Sequence, residues 1–166
     1  MTTREHQLAD LFVEMINTHN PDLEDRFLAE DYINHEALFS AEGREANQQF
    51  WAAFFNGLPD VKVTMEDLVI SGDRVVGRFT YRGTHTGDLV GIPATGKPVE
   101  MRSIDIWRVQ DGMFAEHWDE INAMQMFQQI GALPPLGGLQ AQRPTHCEPV
   151  RYRVHRIRAW VYVGFA

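Results

Sequence analysis

Leu8, Leu11, Phe12, Met15 and Ile16 recur at the i, i+3, i+4, i+7, i+8 spacing of a helix that buries one face, which predicts a first helix over residues 4–17. Asn20-Pro21-Asp22 is a helix-start signal with Pro21 suited to the first turn, and a short helix through Phe27-Leu28-Ala29 is expected to break across Asp31-Tyr32-Ile33-Asn34-His35. A third helix over residues 44–56 carries Phe50, Trp51, Phe54 and Phe55 within two turns and stops at Gly57-Leu58-Pro59.

Beyond Pro59 the period changes to two. Residues 61–70 alternate, Ser71-Gly72-Asp73 turns the chain, and Val75, Gly77, Phe79 and Tyr81 fall on one face of a second strand. The Gly/Thr/Pro-rich stretch 83–98 reads as a long loop of the functional kind. Residues 99–109 and 113–121 form a hairpin about Gln110-Asp111-Gly112, and a last helix over residues 123–130 ends at Gly131. Helices first and a meandering antiparallel sheet afterwards predict an α+β domain over residues 1–135, its curved sheet wrapped around the helices and enclosing an apolar pocket. Residues 136–166 stand apart as a basic tail, either an oligomer-contacting extension or a segment peripheral to the fold.

The turn decides which side chains of the hairpin meet. A three-residue loop with Gly112 in the left-handed conformation pairs Asp105 with His117 and Ser103 with Asp119. It puts Met101, Ser103, Asp105, Trp107, Ala115, His117 and Asp119 on one face, with Arg102, Ile104, Ile106, Arg108, Phe114, Glu116 and Trp118 on the other. A two-residue Asp-Gly turn would place Asp105 and Asp119 on opposite faces. The first register is preferred because each polar side chain then has a partner, with Asp119 diagonal to Asp105 at about 7–8 Å. Two carboxylates and an imidazole around an enclosed apolar space can drive their proton affinities apart, leaving one base and one acid. The same Asp105–His117 pair would serve as a structural cross-strand hydrogen bond, and these residues alone leave both readings open. The other face, apolar with a charged rim, suits contact with a second copy of the chain.

Composition narrows the classes. The chain has 166 residues, enough for one domain with a core, and no apolar stretch of membrane-spanning length. Its N-terminus runs into a helical pattern without the apolar region of a signal peptide, so a cytoplasmic location is expected. From Arg143 onward five arginines face one glutamate, so the net charge of −8 leaves −12 on the first 142 residues. That acidic body disfavours nucleic acid. The single Cys147 has no cysteine partner, and the seven histidines show no metal-ligand spacing, so no metal site is expected. His35, ahead of Glu36-Ala37-Leu38-Phe39, and His85, at the start of the long loop, are candidate pocket residues, although lone histidines are more often surface or satisfied core. Phe54, Met101 and Trp107 are candidate apolar walls. No nucleophile elbow, phosphate loop or dinucleotide fingerprint is present.

Gly83-Thr84-His85-Thr86-Gly87, Gly91-Ile92-Pro93-Ala94-Thr95-Gly96-Lys97-Pro98-Val99, Ser103-Ile104-Asp105-Ile106-Trp107-Arg108-Val109, Asp111-Gly112, Glu116-His117-Trp118-Asp119 and the closing Gln128-Gln129-Ile130-Gly131-Ala132-Leu133-Pro134 together resemble the SnoaL-like polyketide cyclases, also called ester cyclases, of the nuclear transport factor two-like superfamily. The resemblance spans roughly residues 5–135. It implies a cone of curved sheet closed by helices, usually dimeric, and cofactor-free ring closure of a polyketide methyl ester by intramolecular aldol condensation. It carries the family's essential acid–base aspartate onto Asp119. A second family position, a histidine in the characterised cyclases, falls on Asp105, a departure that shifts the second proton to His117 or changes the substrate. Other enzymes and non-catalytic binders share this architecture. The Arg-x-Asp arrangement of limonene-type epoxide hydrolases is broken by Ser103. The expected ligand is a small apolar carbonyl compound. The alternatives left open are a small-molecule binding protein, or a hydrolase or isomerase of another apolar compound.

Overall fold

A computed structural model describes residues 3–35 and 42–135. The basic tail and residues 36–41, including most of the segment after His35, lie outside the described residues.

Helix α1 (Arg4–Thr18) buries Leu8, Leu11, Phe12, Met15 and Ile16, as the spacing predicts. Thr3 caps its start by accepting from the His6 amide, and His19 ends it in a left-handed conformation. A 3-10 helix, Pro21–Arg26, follows and leads into strand β1 (Leu28–Asn34), where a helix and its break were expected. The difference has a physical cause. β1 pairs with its neighbour only irregularly, buries Leu28 and Tyr32 four residues apart, and exposes Glu30 and Asp31 between them, so no period-two signal survives. Helix α2 (Arg44–Gly57) is followed by β2 (Lys62–Ser71), β3 (Arg74–Thr84), β4 (Pro98–Gln110), β5 (Met113–Ile121) and helix α3 (Ala123–Ile130). Gly131 closes α3 in the left-handed region, as its position predicts.

The strands form one sheet in the order β1-β5-β4-β3-β2. Four are antiparallel, but β1 runs parallel to β5, so the sheet is mixed rather than wholly antiparallel. Bulges in β2 near Glu66 and in β5 near Ala115 bend these strands, and the concave face closes on the helices. Phe12 is the hub of the packing. Its ring lies edge-on to Phe79 (5.2 Å), Trp107 (5.1 Å) and Trp51 (5.9 Å), which joins α1 to the sheet and to α2.

The hairpin register departs from expectation, and in an informative way. Asp111 (φ 52°) and Gly112 (φ 74°) are both left-handed, so the turn is the two-residue type, closed by Gln110 and Met113. Val109 then pairs with Phe114 but Arg108 with Glu116, which leaves Ala115 as the extra residue of a bulge. The bulge reverses the alternation once. Asp105 therefore lies directly across from Asp119, and Trp107 from His117, all on the concave face. The expected three-residue loop is absent. Its consequence, both carboxylates and the imidazole on one face, is met by the turn and bulge acting together. Phe114, expected on the outer face, is wholly buried and stacks on Trp107 at 4.8 Å.

Candidate functional site

The concave face of β1, β3, β4 and β5 forms the floor of a cavity whose walls come from α1, the 3-10 helix, α2, α3 and the long loop. It encloses about 830 Å³ of atom-free space, its open mouth included. Phe12, Phe50, Trp51, Phe54, Met101 and Trp107 make most of its apolar wall.

Asp105 is the centre of the polar floor. Burial in the β4 pattern fixes its direction, and only 4 % of its side chain is exposed. Ser103, two residues earlier on the same face, donates its hydroxyl to Asp105 Oδ2. His117 Nε2 lies 2.9 Å from Asp105 Oδ1, although the two sit diagonally rather than directly across. The imidazole ring is stacked near Trp107 (5.2 Å) and Tyr32 (6.4 Å), and its Nδ1 lies 3.1 Å from Asn34 Oδ1. The amide oxygen can accept a hydrogen bond from Nδ1–H or, with the amide turned, its nitrogen can donate one to a bare Nδ1, so this pairing serves either tautomer of the ring. Asp119 shares the floor, facing Asp105 across the strand pair.

Two tyrosines border the same space. Burial pushes the hydroxyls of Tyr32 and Tyr81 well above the usual tyrosine range, and the charges of Asp105 and Asp119 push them further. Both phenols stay protonated and can donate hydrogen bonds. Ligand atoms of Asp105, His117 and Asp119 all lie within 4.8 Å of one another, a grouping with the donor set of a divalent-cation site. To bind one cation, Asp105 and His117 would have to give up the hydrogen bond between them.

Of the candidate residues, Asp105, His117, Asp119, Phe54, Met101 and Trp107 line this cavity together. His85 and His35 are elsewhere. His85 is fully buried inside the long loop, with Nδ1 3.0 Å from Thr95 Oγ1 and its carbonyl accepting from the amides of Thr95 and Gly96. It holds the loop in shape. His35 stacks on Trp118 at 4.6 Å and pairs with Glu116, on the outer side of the sheet. There it lowers the Glu116 carboxyl below the usual range, with Arg108 adding to the effect.

Sequence reasoning put Ser103 on the inward face but opposite Asp119 rather than bonded to Asp105, and it missed Tyr32, Asn34 and Tyr81 as members of the polar floor, and Glu24 and Asn47 on the helical wall. Ser103 and Tyr81 had a signal, because each shares the inward phase of its strand. Glu24, Tyr32 and Asn34 had none, since the 3-10 helix and β1 carry no readable period.

An α+β domain whose curved sheet presents buried acidic and imidazole groups to an apolar cavity defines the class of proteins with the nuclear transport factor two-like fold. Within that class the profile of the SnoaL-like polyketide cyclases matches residues 6–130, and the chain belongs to this family. It is 28% identical over 147 residues to the aklanonic acid methyl ester cyclase DauD of Streptomyces sp. (strain C5), covering 86% of this chain and 89% of that one. It is 28% identical over 123 residues to the aklanonic acid methyl ester cyclase DnrD of Streptomyces peucetius, covering 72% and 85%. The structure of TsrD from Streptomyces laurentii superimposes with a TM-score of 0.74 at 32% identity, covering 78% of this chain and 96% of that one.

Proposed function

We propose that the chain is a cyclase that closes a ring in a polyketide-type ester by intramolecular aldol condensation, using side chains alone as acid and base. The observation that carries this reading is the direct opposition of Asp105 and Asp119 across two strands, with His117 bonded to one of them, on the floor of an apolar cavity. The names of DauD and DnrD support it.

In this reading the substrate lies against Phe54, Met101 and Trp107. Asp119 removes a proton from a carbon flanked by two carbonyl groups. The resulting enolate forms a carbon–carbon bond to an internal ketone, whose oxygen becomes an alkoxide. That alkoxide takes the proton back from Asp119, which restores the starting charges, or takes one from a protonated His117, after which the proton held by Asp119 passes to His117 to restore them. Asp105 is a positioning residue: fixed by Ser103, it orients His117 and balances its charge. The folded substrate brings the two reacting carbons together, and water exclusion keeps the enolate from being quenched. A positioned acid–base group contributes on the order of 10²–10⁴-fold in rate.

The test uses aklanonic acid methyl ester, the compound in the relatives' names, as substrate. Asp119→Asn is expected to lower kcat by about 10²–10⁴-fold while the circular dichroism spectrum stays unchanged. Turnover is expected to survive chelation and dialysis. Near-normal activity in the Asn variant removes Asp119 from the chemistry. Loss on chelation that zinc or manganese restores converts the Asp105–His117–Asp119 group into a metal site. We also propose that the outer sheet face, with exposed Ile104, Ile106 and Val69, is covered by a second copy of the chain.

A further inference from the structure

The cavity has a second polar group, on the wall formed by the helices. Glu24, in the 3-10 helix, has no exposed surface and lines the same space as the floor cluster. Asn47 on α2, itself buried and part of the same wall, donates Nδ2 to Glu24 Oε1 at 2.5 Å. The other oxygen, Oε2, is buried with no hydrogen-bond partner among the described residues. Native proteins rarely leave a buried carboxyl oxygen unpaired, because each such group costs the full desolvation penalty.

We infer that Glu24 and Asn47 form a recognition subsite for a neutral carbonyl oxygen of the ligand, with the Glu24 carboxyl donating its proton from Oε2. This goes beyond the cyclase reading and rests only on the cavity being a ligand site. The division of labour follows from the hydrogen bonds. Asn47 donates to Oε1, so the acid proton belongs on Oε2, where it has no acceptor. A ketone or quinone oxygen supplies one. An anionic ligand group would be repelled by the pocket's aspartates, and an alkyl group would leave the donor unpaired.

Protonation at neutral pH agrees with this geometry. Burial pushes the Glu24 carboxyl up to about 8, against the opposing pull of the Asn47 hydrogen bond and the Arg44 charge. Asp25 on the same helix raises it a little, and Tyr32 of β1 faces it as a neutral phenol. Arg44 is itself engaged with Asp25 at 3.0 Å and with the Leu28 carbonyl. It is therefore a weak counter-charge for Glu24.

The experiment measures binding, without turnover, of 9-fluorenone and of fluorene, two rings of the same shape that differ in one carbonyl. Quenching of tryptophan fluorescence or calorimetry reads the affinity in the full chain at pH 6 and pH 9. A buried hydrogen bond is worth up to about tenfold in affinity. The wild-type chain is expected to prefer 9-fluorenone by roughly tenfold at pH 6 and to lose most of that preference at pH 9. Glu24→Gln keeps a donor that does not titrate, so its preference persists at both pH values. Glu24→Leu is expected to bind the two rings alike. A preference that is the same in wild type and Glu24→Leu overturns the subsite, as does a wild-type preference indifferent to pH. Should Glu24→Leu fail to fold, wild type and Glu24→Gln still decide through pH alone. The same measurement in Asp119→Asn separates the two proposals. A ketone preference retained there, in a chain that turns nothing over even as wild type, defeats the cyclase reading and leaves the subsite standing.

Discussion

Glu24 sits where a carboxyl is costly, and its proton makes stability depend on pH. Its ordinary value of 4.5 in the unfolded chain rises to about 8 when folded. Between those values the unfolded chain has released a proton that the folded chain keeps, so folding must recover it. The part of the stability that Glu24 carries is therefore greatest below about pH 4.5, falls as pH rises through the window from 4.5 to 8, and levels off above it. At about 1.4 kcal/mol per unit, the loss is on the order of 3–5 kcal/mol for a group this buried. Glu24→Gln is expected to flatten that decline, with denaturant midpoints at pH 5 and pH 8 closer together than in wild type. Equal slopes in the two chains would mean that Glu24 is ionised when folded. Legibility varies at this scale. Asp105 and Asp119 stand out in the sequence because they sit on an alternating strand beside apolar residues. Glu24 does not, because a glutamate in a polar 3-10 segment looks like surface until α2 is packed over it.

Among the elements, the β4–β5 hairpin and its β3 neighbour carry the site. Gly77 of β3 pairs with Asp105, and the ring of Phe79 lies over it. A methyl group at Gly77 would meet Phe79 Cε2 at 2.3 Å and Cζ at 2.4 Å. The ring could yield only by moving into Phe12 and Trp107, to which it is packed edge-on. Gly77→Ala is expected to destabilise by about 1–3 kcal/mol through overpacking, read as a lower denaturant midpoint with an unchanged slope. An unaffected midpoint would show that Phe79 has another rotamer available. The hairpin itself shows how an element can be read correctly while its pairing is not. Asp111-Gly112 is a strong two-residue turn signal, and it would have turned Asp119 outward had Ala115 not bulged. A bulge has no sequence mark of its own. It forms because Phe114 and His117, three residues apart, must both face inward, Phe114 against Trp107 and Phe27, and His117 against Asp105.

For the whole molecule the outer sheet surface matters most. Ile104 is 51% exposed and Val69 60%, with Ile106 on the same face, a concentration of β-branched apolar groups that a solvated sheet face rarely carries. Around them lie Arg78 with Asp67, and Arg108 with Glu116 and His35, charged pairs of the kind that rim an interface. If a second copy covers this face, Ile104→Glu is expected to shift the chain from dimer to monomer in analytical ultracentrifugation without loss of fold. A wild-type chain that sediments as a monomer at high micromolar concentration would rule the dimer out. Among the described residues no helix is long and apolar enough to cross a membrane.

Local pattern alone was sufficient for α1, α2, α3, the four antiparallel strands, the inward phase of β4 and the family resemblance, because helix and strand periods are written in neighbouring residues. Tertiary contact decided the rest. β1 exists because β5 offers it a parallel edge, and the direct opposition of the two aspartates depends on a bulge set by the core. His35 and His85 left the cavity because a stacking partner on the outer face and a loop hydrogen bond held them elsewhere. Glu24 became a cavity residue only when α2 closed over it. A side chain's chemistry belongs to the residue, but its proton affinity and its partners belong to the space it is folded into.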